Sequence, residues 1–434
     1  MNVWIVTSGE PLPLDQGGVR LLRHGILASM LATRGWQVTW WTADFDHTAK
    51  RNRRGPQQPE AVELPGGQRI WLLRSRGYAR NLSLRRVLDH RDLAANFLRS
   101  APAEPRPDVI LASYPPIELA AAAARFGKAH GVPVAVDVRD LWPDIFAAAL
   151  PRPLRILAAP VLALYDRQAR RALASASALL GITGPIVDWA CAKAGRVRRA
   201  ADRDFPLACT PPDPVDAAAV AAALTQWATR GVTRERFVVC FFGALGDQFD
   251  FATVLQAARQ LEAQQPDILF VLCGQGHALP MLEAHAAGHA NVLAPGWQQR
   301  AELHALLHLS SVGLAPYVNE YSFTLSVPNK IIEFFSGGLP VLSSLKGQTQ
   351  DLLAQNACGI TYAEGDPDSL AAELLRLRSD ARLRARMGLH ARLLFETRYT
   401  AQHVYGDMID HLAALAAAPR GAGAAMASAE TAPR

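Results

Sequence analysis

The chain has 434 residues, 45 Lys+Arg, 39 Asp+Glu and a net charge of +6, a length that suggests two domains, at most three. Half of its residues are hydrophobic, too many for an intrinsically disordered chain, and its five cysteines (Cys191, Cys209, Cys240, Cys273, Cys358) are odd in number, widely spaced and without a CxxC, which argues against a disulfide framework or a thiolate zinc site. The start MNVWIVTSGEPLP lacks a basic segment followed by an apolar core, and no run of ~18 uncharged apolar residues occurs, so neither a secretory signal nor a membrane span is expected and the reading is cytoplasmic.

Short apolar runs alternate with amphipathic stretches along the whole chain. VWIVT (3–7) reads as a strand, 19–34 as a helix and QVTWWT (37–42) as the next strand. After a basic loop with prolines and glycines come RIWLLR (69–74), a helix at 83–99, DVILAS (108–113), a helix at 117–131 and VPVAVDV (132–138). A long helix at 153–174, ALLGI (178–182) and one more helix close this half. The stretch 204–235, with four prolines between 206 and 214, reads as the interdomain region. FVVCFF (237–242), DILFVLC (267–273), ANVLAP (290–295), SVGLAP (311–316), PVLSS (340–344) and CGITY (358–362) then read as strands separated by helices, and 366–417 as helical. Cys240 and Cys273, inside such runs, read as small buried hydrophobes. This alternation means βαβ units and parallel sheets covered on both faces. The expected architecture is α/β with two Rossmann-like halves: 1–204, 205–385, a C-terminal helix at 386–417 packing back toward the first half, and a disordered tail at 418–434. Two such sheets in tandem predict a cleft, with ligands held by the loops after the strands.

Charge is unevenly spread. Residues 1–204 hold 29 Lys+Arg and 18 Asp+Glu, a net of +11, whereas the remainder holds 16 and 21, a net of −5. The densest basic stretch is Lys50 to Arg91. Such a face suits anionic lipid, nucleic acid or phosphorylated small molecules.

Five loops carry the candidate chemistry. Gly17-Gly18 precedes the first helix and would let backbone approach an anion at a helix N-terminus. No GxGxxG is present, so a dinucleotide fingerprint is absent. Asp137, Arg139, Asp140 and Trp142 follow the strand 132–138, within VDVRDLWPD; a structural pairing of Arg139 with an aspartate is the plain alternative. Gly243 and Gly246 (FGALG) and Gly274 and Gly276 (CGQGH) occupy two further strand-to-helix turns. The fifth is SVPNKIIEFFSGGLPV (326–341), where Pro328 can open a helix. The amides of 326–330 would then meet an anion, Lys330 would add charge and Glu333 would lie one turn along, within reach of hydroxyls. Gly337-Gly338 would end that helix. A phosphate anchor followed by a hydroxyl acceptor suits a nucleotide diphosphate. The pairs His285/His289 and His304/His308 have i,i+4 spacing but sit in polar helical stretches and read as solvated faces, so no metal site is expected.

With these residues in view, the chain resembles the GT-B glycosyltransferases of family 4, in the branch that builds bacterial capsule, exopolysaccharide and lipopolysaccharide O-antigen. The resemblance covers roughly 1–415 and rests on DVRDLWPD, on PNKIIEFFSGGLPVL, on the order of the five loops and on GGVRLLRHGILASMLATRGWQVTWWT with its trailing DFDH (44–47). It implies a donor-binding C-terminal half and an acceptor-binding N-terminal half. Glu333 would hold the ribose hydroxyls. Ser326, Asn329 and Lys330 would meet the diphosphate or donor sugar. Gly274, Gly276, Gly296 and Trp297 would line the base pocket, and Gly17 and Gly18 would face the diphosphate. His24 and His47 are candidate acceptor contacts, for each of which a structural role fits equally.

Three departures stand out. The family pairs two glutamates eight positions apart, and eight before Glu333 stands Leu325, with Glu320 as a candidate substitute. Arg139-Asp140 and Gly246-Asp247 stand where many members carry His-Asp and a basic pair. The implied reaction is retaining and independent of metal or other cofactor. A nucleotide sugar, a UDP-sugar favoured, would donate to a saccharide linked to polyprenyl diphosphate. Asp137 or Asp140 would orient the acceptor, and the basic half would rest on an anionic membrane at the inner face of the cytoplasmic membrane. Competing readings are a nucleotide-sugar epimerase of the same fold and a degenerate, non-catalytic assembly partner. A nucleic-acid partner is not expected, since Trp71 and Tyr78 are too few aromatics among the basic residues.

Overall fold

Near-continuous apolar runs become strands in this chain because both faces of each are covered. The computed structural model describes residues 1–15, 20–54, 60–81, 83–210 and 217–418. The first half runs β1 (Asn2–Val6), α1 (Arg23–Thr33), β2 (Gln37–Ala43), β3 (Phe45–Asp46), β4 (Arg51–Asn52), β5 (Glu60–Leu64), β6 (Gln68–Leu73) and α2 (Leu84–Ser100). It continues through β7 (Val109–Tyr114), α3 (Ile117–His130), β8 (Val134–Val138), α4 (Asp144–Ala149), α5 (Arg152–Ala174), β9 (Ala178–Gly181), α6 (Gly184–Ala194) and β10 (Arg203–Asp204). One sheet has the order β10-β9-β8-β7-β1-β2-β6-β5. All neighbours in it are parallel except β5, which runs antiparallel to β6 with Glu63 opposite Arg69. That edge strand lies in the stretch expected to be loop. Its glutamates, Glu60 and Glu63, lie three positions apart and so face opposite sides of the strand, which suits a wet sheet edge and leaves no apolar run to find. On one face of the sheet Trp4 packs against Trp41 and Phe126, with ring centroids 5.1 and 5.0 Å away, and Phe97 closes the cluster at 5.2 Å from Trp41.

The second half runs α7 (Ala217–Thr229), β11 (Phe237–Ala244), α8 (Phe251–Glu262), β12 (Ile268–Gln275), α9 (Leu279–Ala286), β13 (Val292–Gly296), α10 (Arg300–Leu309) and β14 (Val312–Ala315). Then come α11 (Tyr321–Thr324), α12 (Asn329–Ser336), β15 (Val341–Ser343), α13 (Gln348–Gln355), β16 (Gly359–Thr361), α14 (Pro367–Ser379), α15 (Ala381–Leu394) and α16 (Ala401–Ala417). Its sheet, β13-β12-β11-β14-β15-β16, is parallel throughout. Gly313 on β14 lets the Phe334 ring of α12 lie directly on the strand, where a Cβ would collide with it. This contact fixes α12, and with it the block 326–338, against the sheet.

The chain divides into Met1–Pro206 plus the residues from Val404 on, and Leu207–His403. The expected interdomain region thus contains the crossing at 206–207, but α7 belongs to the second unit, where the Trp227 Nε1 donates to the Glu302 carbonyl at 2.8 Å; residues 211–216 lie outside the described residues. The long C-terminal helical stretch is interrupted: Asp380 caps α15 by accepting from the Leu383 amide, and a π-helical turn at Phe395–Tyr399 precedes extended Thr400. The expected helix at 386–417 is therefore two helices, and only the residues from Val404 on join the first unit. There Arg34 pairs with Asp410 at 2.5 Å, and His411 donates from Nε2 to the Ala201 carbonyl at 3.0 Å. Of the expected tail at 418–434, residues 419–434 lie outside the described residues. No described helix is long and apolar enough to cross a membrane.

Candidate functional site

In the first unit, the strand ends converge on a buried ionic network. Asp137, the penultimate residue of β8, has no exposed surface. It accepts from Arg23 at 2.8 Å (Nε) and 3.0 Å (Nη2), and the His24 Nε2 lies 3.4 Å from it. His24, equally buried, approaches Glu10 through Nδ1 at 2.7 Å and donates its amide to the same carboxylate at 3.0 Å. Arg139 also pairs with Glu10 and donates from Nη2 to the Ser113 hydroxyl at 2.8 Å. Burial pushes the Glu10 carboxyl up, but the charges of His24 and Arg139 outweigh this and hold it at about 2. Asp137 is likewise held below the usual carboxylate range: burial opposes ionisation, and Arg23 and His24 overcome it.

This geometry corrects two expectations. Asp137 and His24 have no exposed surface, so neither can touch an acceptor; both hold other residues in place. Arg139 pairs with a glutamate rather than with an aspartate of its own loop. Glu10 and Arg23 were not singled out in the sequence. Glu10 follows β1 as Asp140 follows β8, and the same rule, carboxylates beyond strand ends, reaches it. Arg23 carried only its adjacency to His24.

The side chains left open belong to a second cluster. Asp140 is exposed, and crowding by protein pushes its carboxyl up against the pull of Arg139 and Arg86. Arg86 on α2 lies 4.8 Å from the Trp142 ring and 5.4 Å from the Tyr78 ring, and the Lys50 Nζ sits 4.7 Å from the same Tyr78 ring. Lys50 donates to the Asn81 side chain at 2.6 Å, and the His47 Nδ1 is 2.5 Å from the Tyr78 hydroxyl. Burial, then Lys50 and Arg86, push His47 down to about 4, so it is neutral near pH 7. Two cations around one aromatic ring, with a half-buried neutral imidazole beside them, form a place for an anionic group. Gly17 and Gly18 lie outside the described residues.

In the second unit, β11 and β12 end side by side, with Gly243 opposite Gly274. The backbones come so close that a Cβ on Gly274, at φ +149°, would strike the Gly243 carbonyl, and one on Gly276 would strike Leu245. The Leu245 amide donates to the Gln275 carbonyl at 2.8 Å, and exposed His277 reaches Asp247 at 2.8 Å. The two loops are thus one interlocked ledge, and Gly246-Asp247 supplies an acid where the family's basic pair is absent. Lys330 runs beneath this ledge. It is buried, donates to the Phe242 carbonyl and lies 4.0 Å from the Phe241 ring. Burial, only partly offset by Glu333, lowers its ammonium to about 8.

Pro328 caps α12, which begins at Asn329. The amides of Asn329 and Lys330, in the first turn, have no carbonyl partner within the helix. The Ser326 amide, in contrast, donates to the Phe323 carbonyl at 3.0 Å, and the Ser326 hydroxyl to the same oxygen at 3.2 Å. Ser326 is therefore not an anion contact, and the expected row of amides shortens to the helix's own first turn. Asn329 is exposed and Glu333 half-buried, one turn apart on one face. Leu325 ends α11, and Glu320, exposed, precedes that helix. Trp297 is 58% exposed at the end of β13, beside a buried Gln298 that donates to the Pro295 and Trp297 carbonyls at 3.0 and 2.9 Å. A fixed loop carrying a bare indole offers a stacking surface.

Two family models match the chain: "Glycosyl transferase 4-like domain" over residues 23–201 and "Glycosyl transferases group 1" over residues 236–380. The chain belongs to the GT-B glycosyltransferases of family 4. This glycosyltransferase is 27% identical over 176 residues to the amylovoran biosynthesis glycosyltransferase AmsK of Erwinia amylovora, covering 40% of this chain and 43% of that protein. It spans less than half the length of the curated relatives it matches, 44% and 43%. Among solved structures, it is similar to sucrose-phosphate synthase from Thermosynechococcus elongatus, with a TM-score of 0.70 and 17% identity over 95% of this chain and 98% of that one. Anabaena HepE in complex with UDP follows at a TM-score of 0.61 and 14% identity, over 95% and 99% of the two chains.

Proposed function

We propose that this glycosyltransferase moves a sugar from a nucleotide donor, a UDP-sugar, to a saccharide carried on polyprenyl diphosphate. The reaction retains anomeric configuration, uses no metal and serves cell-surface polysaccharide assembly at the inner face of the cytoplasmic membrane. The observation that carries this reading is the α12 site: two first-turn amides, a buried lysine beneath a glycine ledge, and a glutamate one turn on. HepE with its UDP and the amylovoran relative support the donor base and the pathway.

In this scheme the diphosphate lies at the α12 N-terminus, where the Asn329 and Lys330 amides and the Lys330 charge favour it. Glu333 accepts from the ribose hydroxyls, and Trp297 stacks on the base. As the bond from the anomeric carbon to the phosphate oxygen breaks, charge gathers on the diphosphate and is stabilised by the same groups. The acceptor hydroxyl attacks from the face the phosphate leaves and gives its proton to that phosphate oxygen. In the first unit, His47, Lys50, Arg86 and Asp140 meet the acceptor, and the ionic network around Glu10 fixes Arg139 beside them. Leu325 favours one other reading, a non-catalytic assembly partner that has lost the sugar-gripping glutamate.

Thermal unfolding with UDP, UDP-sugars and GDP-sugars tests the proposal. A ligand at a hundred times its Kd adds about 2.7 kcal/mol, so the melting temperature rises with UDP compounds and does so less in Glu333→Ala. No rise with any of them overturns the donor assignment. If pathway output survives Glu333→Ala unchanged, the non-catalytic reading replaces catalysis.

A further inference from the structure

The basic stretch 50–91 is less free than its composition suggests. Arg53 pairs with Asp15, Arg54 with Glu60, Arg69 with Glu104, and Arg76 with Asp92 at 2.7 Å. The unusual surface is on α5. Its C-terminal half is anchored: Ala169, Ala172 and Leu173 are buried, Lys193 of α6 binds Asp166 at 2.5 Å, and Tyr165 donates to Glu118 of α3 at 3.3 Å. Among the described residues its N-terminal half is bare. Leu154, Ile156, Leu157, Val161 and Leu164 are 51 to 77% exposed. From Ile145 to Tyr165 the sequence holds no acidic residue, while Arg152 and Arg155 precede the apolar run and Arg167, Arg170 and Arg171 follow it.

We infer that the N-terminal half of α5 is an interfacial anchor that lies in the headgroup layer of an anionic lipid membrane. Charge selects this occupant. Arg170 is paired with Asp166 at 2.6 Å, but a second copy seated on the same face through a two-fold axis would still set Arg152 and Arg155 against Arg167 and Arg171 at the far end of its partner's helix, like charge against like at both ends. An anionic lipid surface instead satisfies the arginines while the aliphatic side chains enter the acyl boundary. The helix does not span: the uncharged run Ile156–Tyr165 is about 15 Å long, half the ~30 Å hydrocarbon core.

The anchor adjoins the cationic cluster. Phe146 of α4 lies 6.4 Å from Tyr165 of α5 and 4.6 Å from Trp142, whose ring carries Arg86 at 4.8 Å. This part rests on the proposed lipid-linked acceptor: a diphosphate at the membrane surface would lie next to Lys50 and Arg86 while its polyprenyl chain stays in the bilayer.

Flotation of the full chain with phosphatidylglycerol–phosphatidylcholine vesicles, and with phosphatidylcholine alone, at low and high salt, tests the inference. Wild type floats with the anionic vesicles and is partly released by salt. The double variant Ile156→Asp/Leu157→Asp loses at least about tenfold in partitioning, and Arg152→Glu/Arg155→Glu loses the anionic preference. Both keep the melting-temperature rise with UDP, because the anchor and the donor site are in different units; wild-type resistance of the first unit to proteolysis shows that the variants are folded. Wild-type binding that both variants retain, or no binding to any vesicle, overturns the anchor. So does a change from dimer to monomer in the Asp variant without change in flotation, which would assign the face to a second copy. Loss of the UDP effect in wild type would overturn the donor reading and leave the anchor standing.

Discussion

At the scale of single residues, buried charge separates what holds the fold from what serves a ligand. Among the described residues the Glu10–His24–Asp137–Arg23 network is internally paired, with Arg23 on Asp137 and both His24 and Arg139 on Glu10. Lys330 instead donates to a carbonyl and lies against aromatic faces, and the pull of Glu333 offsets its burial only in part. A lysine whose ammonium falls from 10.5 to about 8 costs the fold stability near neutral pH, in amount up to about 3 kcal/mol. Lys330→Met should therefore stabilise the protein against urea by about 1–3 kcal/mol while weakening UDP binding. A variant both less stable and unchanged in UDP affinity would show that Lys330 is structural. The acid side has its own signature. Glu10 titrates at about 2 folded and near 4.5 unfolded, so its contribution is full above 4.5 and is lost as pH falls toward 2. His47 titrates at about 4 folded and near 6.5 unfolded, so the unfolded chain takes up its proton first and stability declines as pH falls from 6.5. Urea midpoints should fall below about pH 6.5 and steepen below about 4.5, and His47→Gln should flatten the upper part alone.

At the scale of elements, legibility tracked burial. Strands covered on both faces, such as β2 and β11, announce themselves as apolar runs, and the turns after them follow from paired glycines. β5 did not, because an edge strand with Glu60 and Glu63 keeps a polar pattern. The break at Phe395–Thr400 did not, because no glycine or proline marks it. Within the site, residue types at strand ends and the α12 block were readable, but burial was not: Asp137, His24 and Ser326 looked available in sequence and are enclosed or occupied in the fold. The glycine ledge shows what only geometry supplies. Gly274 needs φ +149° and lies against the Gly243 backbone, a position no flexible side chain can yield. Gly274→Ala should destabilise the second unit by about 2–4 kcal/mol and abolish the UDP-induced rise in melting temperature. A variant with wild-type stability and UDP binding would refute the ledge as a fixed element.

At the scale of the whole molecule, the chain crosses between its units twice, at 206–207 and within α16 at 403–404. The second crossing makes the first unit discontinuous in sequence. Val404, Tyr405, Met408, Ile409 and Leu412 are buried in that unit, and Tyr405 carries the Arg23 guanidinium at 5.6 Å from its ring. Five such side chains at about 1.5–3 kcal/mol each amount to about 8–15 kcal/mol, an upper bound that matches the whole stability of an ordinary domain. The same residues steady the buried network, since Arg23 lies between Asp137 and Tyr405. Ending the chain at His403 should leave Leu207–His403 folded and still stabilised by UDP, while the first unit loses protection from proteolysis and the cooperative transition splits in two. A peptide of residues 401–418 supplied in trans should restore protection in proportion to its concentration. If the shortened chain melts as one unit at the wild-type temperature, the last helix is an appendage, and the coupling of the buried Glu10–Asp137 network to the end of the chain falls with it.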